Sequence, residues 1–234
     1  LLSLGPSVSS SDDTAALSSK LHISPDAAFQ LQTSAFLNRW FWWKLAGHKA
    51  SIDEQIWEPY SRCLAAYVRR NQGKSLAGYD SASKSFYSLC DAIYPEDEEP
   101  AFTPKSPFYS IYKSLGTLAQ QCGNLKKAAT WIERLYSCPS QSELQRCATG
   151  AKLLSLRLQA GHWDVADALR AVVGVMESPV RGSSAEWDEL IVEVSKARRV
   201  VISVLSKKPD NGDDSRTLED ESRQLCESMI LLCP

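Results

Sequence analysis

The residues able to hold a metal or act as nucleophiles are three histidines, His22, His48 and His162, and seven cysteines at 63, 90, 122, 138, 147, 226 and 233. A zinc site asks for closely spaced Cys and His pairs that leave one turn or one helix face together. No CxxC, HExxH or HxxxH occurs, and an odd number of thiols does not close a disulfide framework. A Cys/His nucleophilic pair would have to be assembled by tertiary contact alone. The sequence therefore predicts no metal, no cofactor and no catalytic residue. Its thiols are expected to be reduced and to behave as small apolar side chains in a cytoplasmic or nuclear protein. GxxxxGK[ST], GxGxxG and GxSxG are also absent, so the loops that cradle phosphates or present a hydrolase serine are missing.

The one run that invites a binding role is Arg39-Trp40-Phe41-Trp42-Trp43-Lys44. Four consecutive aromatics cannot all face one side of a helix. Phe29, Phe36, Trp40 and Trp43 recur at steps of seven, four and three, which predicts a buried stripe that Leu37 and Phe41 widen. Trp42 then needs a second surface, provided either by a neighbouring helix or absent domain or by a partner. Arg39, Phe41 and Trp42 are the candidate partner-binding residues, since tryptophan and arginine are enriched where binding energy concentrates.

The elements that would position these residues are all helical. Residues 1–23 are rich in Ser and Asp and read as a loosely ordered lead-in, and Ser24-Pro25 then caps a helix running to Gly47. Ser51 to Glu54 is a capping box, followed by a helix that Pro59 must kink or restart. Tyr79, Ala82, Phe86, Leu89, Cys90 and Ile93 mark the next helix, stopped by Pro95. The acidic, proline-bearing segment 96–105 reads as an exposed hinge. Ser106-Pro107 opens a helix ending at Gly123-Asn124, and Leu125 to Cys138 folds back from it. The hairpin predicted over 107–138 is followed by a second over 141–177, with a capping box at Ser140 to Glu143 and a turn at Gly161. Ser183 to Glu186 opens a further helix, 209–215 is a polar loop, and a last helix starts near Thr217 with Leu218, Leu225, Met229 and Leu232. About nine helices and no strand are expected.

The central hairpins carry a repeat. Tyr112, Leu115, Gly116, Ala119, Gly123, Ala128 and Ile132 match the large, Leu, Gly, aromatic, turn-Gly, Ala and large-apolar positions of the tetratricopeptide motif, with alanine in place of the aromatic. Leu153, Gly161 and Ala166 keep the second repeat weakly, while Gly150 stands where a large residue belongs and Leu154 where a glycine does. Small residues at Gly116 and Ala128 would let the two helices of a hairpin approach closely. The fold class predicted is an all-α, irregular superhelical stack of antiparallel hairpins, a tetratricopeptide-like solenoid over 24–234.

The stretch Ser106 to Tyr136, with SLGTLAQQCGNLKKAATWIERL, also resembles the irregular helical repeats in the large non-catalytic region of fungal separases. That resemblance implies a curved scaffold in chromosome segregation, bound by the inhibitory chaperone securin. The separase His and Cys dyad belongs to a separate protease domain whose motifs are not found here, so no catalytic residue is carried over. A formal charge of −2 supplies no field for nucleic acid or an anionic membrane, and no apolar run approaches the ~20 residues of a membrane span. The chain opens on Leu1 and stops at Leu231-Leu232-Cys233-Pro234, which suggests a piece of something longer. The function expected is a non-catalytic scaffold that holds a protein partner as an extended peptide or a helix. The alternative is a helical domain packed on a catalytic domain of another enzyme.

Overall fold

Short side-chain caps decide where the helices begin. In the computed structural model, which describes residues 22–46, 51–70, 76–94, 106–139, 141–162, 164–177, 181–206 and residues 224, 226, 227 and 229, Ser24 Oγ accepts the Ala27 amide at 3.1 Å. Ser106 Oγ accepts the Phe108 amide with Pro107 at the first helical position. Ser183 and Glu186 close a reciprocal capping box. Ser51 accepts from the Glu54 amide at 3.3 Å. The helices that follow are α1 (Pro25–Ala46), α2 (Glu58–Arg70), α3 (Leu76–Ile93), α4 (Pro107–Gln121), α5 (Leu125–Tyr136), α6 (Glu143–Gln159), α7 (Ala166–Glu177) and α8 (Ser184–Leu205). A π-helical turn, Asp53–Trp57, precedes α2, and no strand occurs among the described residues. The all-α expectation holds.

One cap differs from expectation. The box on α6 is Ser142 with Gln145, two residues beyond the predicted Ser140 to Glu143. Both spellings fit the pattern, but starting at Glu143 buries Leu144 in the first turn. Pro59 stands at the expected restart, one residue into α2, which begins at Glu58 where the π-helical turn ends. The hydrogen-bond ladder widens just before it, with the Glu58 amide donating to the Asp53 carbonyl, so the residue that lacks an amide falls where the ladder changes step. The lead-in over 1–21, Gly47, His48, Pro95, the 96–105 hinge, Ser140, the 209–215 loop, and Leu218, Leu225 and Leu232 lie outside the described residues.

The chain divides into two units, Leu1–Asn124 and Leu125–Pro234. The division falls at the Gly123-Asn124 turn, so the two helices of the hairpin expected over 107–138 belong to different units. α4 packs on α2 and α3 in the first, and α5 packs on α6 in the second. In the first unit α1 also lies on α2 and α3. Its core is aromatic: Phe29, Trp57, Tyr60, Tyr67, Phe86 and Phe108 are fully buried, and Phe29 stacks on Tyr67 at 4.4 Å.

In the second unit α6 is the central helix, packed on α5, α7 and α8. Buried residues surround it on every side, including Leu144, Cys147, Ala148, Ala151, Leu153, Leu154, Leu156 and Leu158. The predicted α6–α7 hairpin is present. Gly161, at φ +80°, turns it, while the Gly161 and His162 amides return to the carbonyls of Leu158 and Arg157 at 3.1 and 2.9 Å. Gly123, at φ +75°, makes the same closure at the end of α4. Gly150, which breaks the repeat pattern, has a physical reason. A Cβ there would meet the Tyr136 ring at 3.1 Å, so the glycine lets that ring lie on α6. Cys226 and Met229 join the same core.

One carboxylate ties two helix starts together. Glu186 Oε2 accepts from the Ser183 amide and hydroxyl at 2.9 Å each, and its Oε1 accepts from the Ser142 hydroxyl at 2.7 Å. The Ser183 amide, then the Ser142 and Ser183 hydroxyls, hold this carboxyl below the usual glutamate range. A carboxyl lowered in the fold contributes stability that is present above its unfolded pKa and lost as pH falls through the folded one. Glu186→Gln, which keeps the capping geometry, is expected to flatten the acid limb of the thermal midpoint plotted against pH. An unaltered acid limb would show that the carboxylate carries none of it.

Candidate functional site: the outward face of α1

α1 has apolar residues all around its axis, so hydrophobicity alone does not choose its inner face. The choice is made by a seam of polar pairs. Tyr67 OH donates to Asp26 Oδ1 at 2.5 Å, and burial pushes that phenol well above its ordinary pKa, which keeps it a neutral donor. Cys63 Sγ donates to Gln32 Oε1 at 2.5 Å, Thr33 and Ser85 hydroxyls meet at 2.6 Å, and Gln30 Nε2 donates to Ser81 Oγ at 2.5 Å. Farther along, Trp40 Nε1 donates to the Ala92 carbonyl at 2.9 Å and Arg39 Nη1 to the Gln55 carbonyl at 3.3 Å. A turn of α1 by one residue, ~100°, would break all six contacts, of which the Thr33–Ser85 and Cys63–Gln32 pairs are buried.

That seam buries Ala28, Phe29, Gln32, Thr33 and Phe36 and holds the opposite face outward. Leu31 is 51% exposed, Phe41 57%, Trp42 67% and Leu45 63%, with Ala35 and Asn38 exposed between them. Of the three partner-binding candidates, the structure brings Phe41 and Trp42 together edge to face at 6.0 Å. Arg39 is half-buried and held by the Gln55 carbonyl. Leu31 and Leu45 belong to the outward face and were not singled out from the sequence. Their step of fourteen residues, two full heptads, was the available signal.

Trp40 corrects an expectation. It and Trp43 are half-buried and stack on each other at 5.1 Å, with Lys44 Nζ 5.9 Å from the Trp40 ring. The tryptophans in the core are Trp57 in the first unit and Trp131 in the second. Trp42→Ala is expected to change stability by no more than ~0.5 kcal/mol, as exposed substitutions do. Trp40→Ala, which loses a half-buried ring and one hydrogen bond, should cost ~2 kcal/mol rather than the ~3–5 of a buried tryptophan. Urea unfolding of both variants checks this, and equal losses would show that Trp42 is packed like Trp40.

Tyr112, Leu115, Gly116, Ala119, Ala128 and Ile132 are buried, and Ala166 is half-buried. His22 and His162 are exposed. No group of three or more His, Cys, Asp or Glu able to hold a metal comes together among the described residues. No helix among them is long and apolar enough to cross a membrane.

The chain is similar to Separin from Emericella nidulans, with 24% identity over 232 residues, which is 96% of this chain and 11% of that protein. The separase resemblance drawn from Ser106 to Tyr136 thus extends along nearly the whole chain, and the chain spans about a tenth of the relative's length. No protein-family model matches, and no solved structure does.

Proposed function

We propose that this chain is a non-catalytic interaction region of a separase-like protein, a helical scaffold that holds a protein partner during chromosome segregation in the cytoplasm or nucleus. The observation that carries this reading is the aromatic face of α1. Hydrogen bonds on the inner side hold it outward, so its exposure is specified by the fold. Large aromatics ringed by polar side chains are the usual anchors of a protein contact. The resemblance to separase suggests the partner, a securin-like inhibitor bound as an extended peptide or a helix. The similarity to Separin and the strand-free, helical make-up of the described residues both support a regulatory rather than a catalytic part.

Calorimetric titration of the 234-residue chain with the cognate securin-like inhibitor tests it. Saturable binding that Trp42→Ala weakens at least ~tenfold is the expected result. Absence of binding, or binding that only the protease domain of the parent protein shows, removes this reading.

A further inference from the structure

A groove of about 370 Å³ lies within the second unit, between the first turns of α6 and the side of α7 that carries Asp167, Ala171 and Val175. Its floor is apolar. Cys147 and Val175 are buried there, and Ala171 is half-buried. Tyr136, at the end of α5, forms part of the wall. Its hydroxyl donates to the Asp167 carbonyl at 3.4 Å, and its ring lies against α6 where Gly150 has no side chain.

The rim of this groove carries charges that the fold leaves unused. Glu143 and Arg146 stand one turn apart on α6, the i,i+3 spacing at which opposite charges ordinarily pair. They do not pair. The Arg146 guanidinium lies over the Tyr136 ring instead, 5.1 Å from its centre, and makes no ion pair or hydrogen bond among the described residues. The Glu143 carboxylate has no partner among them either. Asp167, also on the rim, is taken by Arg170 at 2.8 Å. A guanidinium stacked on a ring keeps its N–H edges free and already oriented, the state in which arginine takes a carboxylate with two parallel hydrogen bonds.

We propose that this groove binds an extended segment of a protein partner, with an acidic side chain on Arg146 and an apolar side chain on the floor of Cys147, Ala171 and Val175. Residues two apart point the same way along an extended chain, so the segment recognised has an apolar residue two positions from an Asp or Glu. Glu143 is left to accept a backbone N–H of that segment, a donor that a free carboxylate lacks. The groove falls within the ~300–1,000 Å³ of small-ligand clefts, which admits a short stretch of chain. This site shares no residue with the α1 face and adds a contact on the second unit without resting on the first.

Amide chemical shifts of the nitrogen-15-labelled 234-residue chain, titrated with the peptide acetyl-Leu-Ala-Asp-Ala-amide, test the proposal. Saturable shifts at Tyr136, Arg146 and Ala171 are expected at ~millimolar peptide, the ordinary strength of so short a ligand. The same peptide with Asn in place of Asp should bind at least ~tenfold more weakly. Arg146→Gln, which removes the charge, and Ala171→Leu, which fills the floor, should each weaken the Asp peptide by a similar factor while keeping the wild-type melting midpoint. Acetate at the same concentrations should not saturate the shifts. The proposal is overturned by shifts that never saturate, by equal binding of the Asp and Asn peptides, or by an Arg146→Gln chain that binds like wild type. Acetate that reproduces the peptide's shifts overturns it too, since Arg146 is then an anion contact only. Peptide binding here in a chain that fails to bind inhibitor removes the α1 reading and leaves this site, and inhibitor binding through Trp42 with no peptide binding does the reverse.

Discussion

Trp57→Ala is expected to lower the stability of the first unit by ~3–5 kcal/mol, the range for deleting a buried tryptophan. Trp57 is fully buried and sits in the π-helical turn before α2. Its ring lies 4.6 Å from Phe108, 6.0 Å from Phe86, 6.1 Å edge-on to Tyr60 and 6.0 Å in a stack on Tyr94. Its Nε1 donates to Tyr94 OH at 3.0 Å, and burial pushes that phenol up to about 12. Neighbours from the C-terminal side of α3 and from α4 meet on this one side chain, and rings of that size cannot collapse into the space left behind. Trp57→Phe should recover most of the packing but leave the Tyr94 hydroxyl without its donor, a residual cost of ~1–2 kcal/mol. Denaturant unfolding followed by circular dichroism measures both, and a midpoint unchanged in Trp57→Ala would show that the aromatic cluster does not stabilise this unit.

The second large effect belongs to Leu154. It is fully buried at the middle of α6, in a cluster with Leu169, Val172, Leu190, Val194 and Ala197. Because α6 is packed by three helices, its surroundings cannot relax inward from any open side. Leu154→Ala should therefore cost toward the upper end of ~2–5 kcal/mol. Leu154→Met, which conserves volume, should stay under ~1.5 kcal/mol. The tetratricopeptide pattern places a glycine at this position, so Leu154→Gly is the change that would restore the motif. It is expected to be worse than alanine, since it adds the helix penalty of glycine, ~1 kcal/mol, to the same cavity. Thermal unfolding of the three variants decides the order, and a glycine variant as stable as wild type would mean that α6 follows the repeat after all.

Much of the chain's architecture was legible because it depends on hydrogen bonds between residues two to five apart. Ser24-Pro25, Ser106-Pro107 and Ser183 to Glu186 announce helix starts through a side-chain oxygen and a nearby amide. Gly123 and Gly161 announce helix ends because the closing turn needs positive φ. Where two spellings compete locally, as Ser140 to Glu143 and Ser142 to Gln145 do, the choice falls to burial, here that of Leu144.

The inner faces of the helices were a different matter. α2 and α5 separate apolar from polar sides clearly enough for their buried residues to follow from periodicity. α1 and α6 do not, for opposite reasons. α6 is buried all round because three helices converge on it, and no count of its own residues reveals how many neighbours it has. α1 is apolar all round yet half exposed, and its rotation is set by Tyr67, Cys63, Ser81, Ser85 and Ala92 on other helices. Those partners lie between 31 and 52 positions away along the chain, far beyond the reach of any local pattern. The sequence by itself determined that the described chain is helical, where most of the helices start, and that four consecutive aromatics could not share one face. Only the tertiary structure decided that Trp57 rather than Trp40 is the buried tryptophan of the first unit and that Leu31, Trp42 and Leu45 point outward, because a helix with apolar residues on every side takes its orientation from the polar partners it meets.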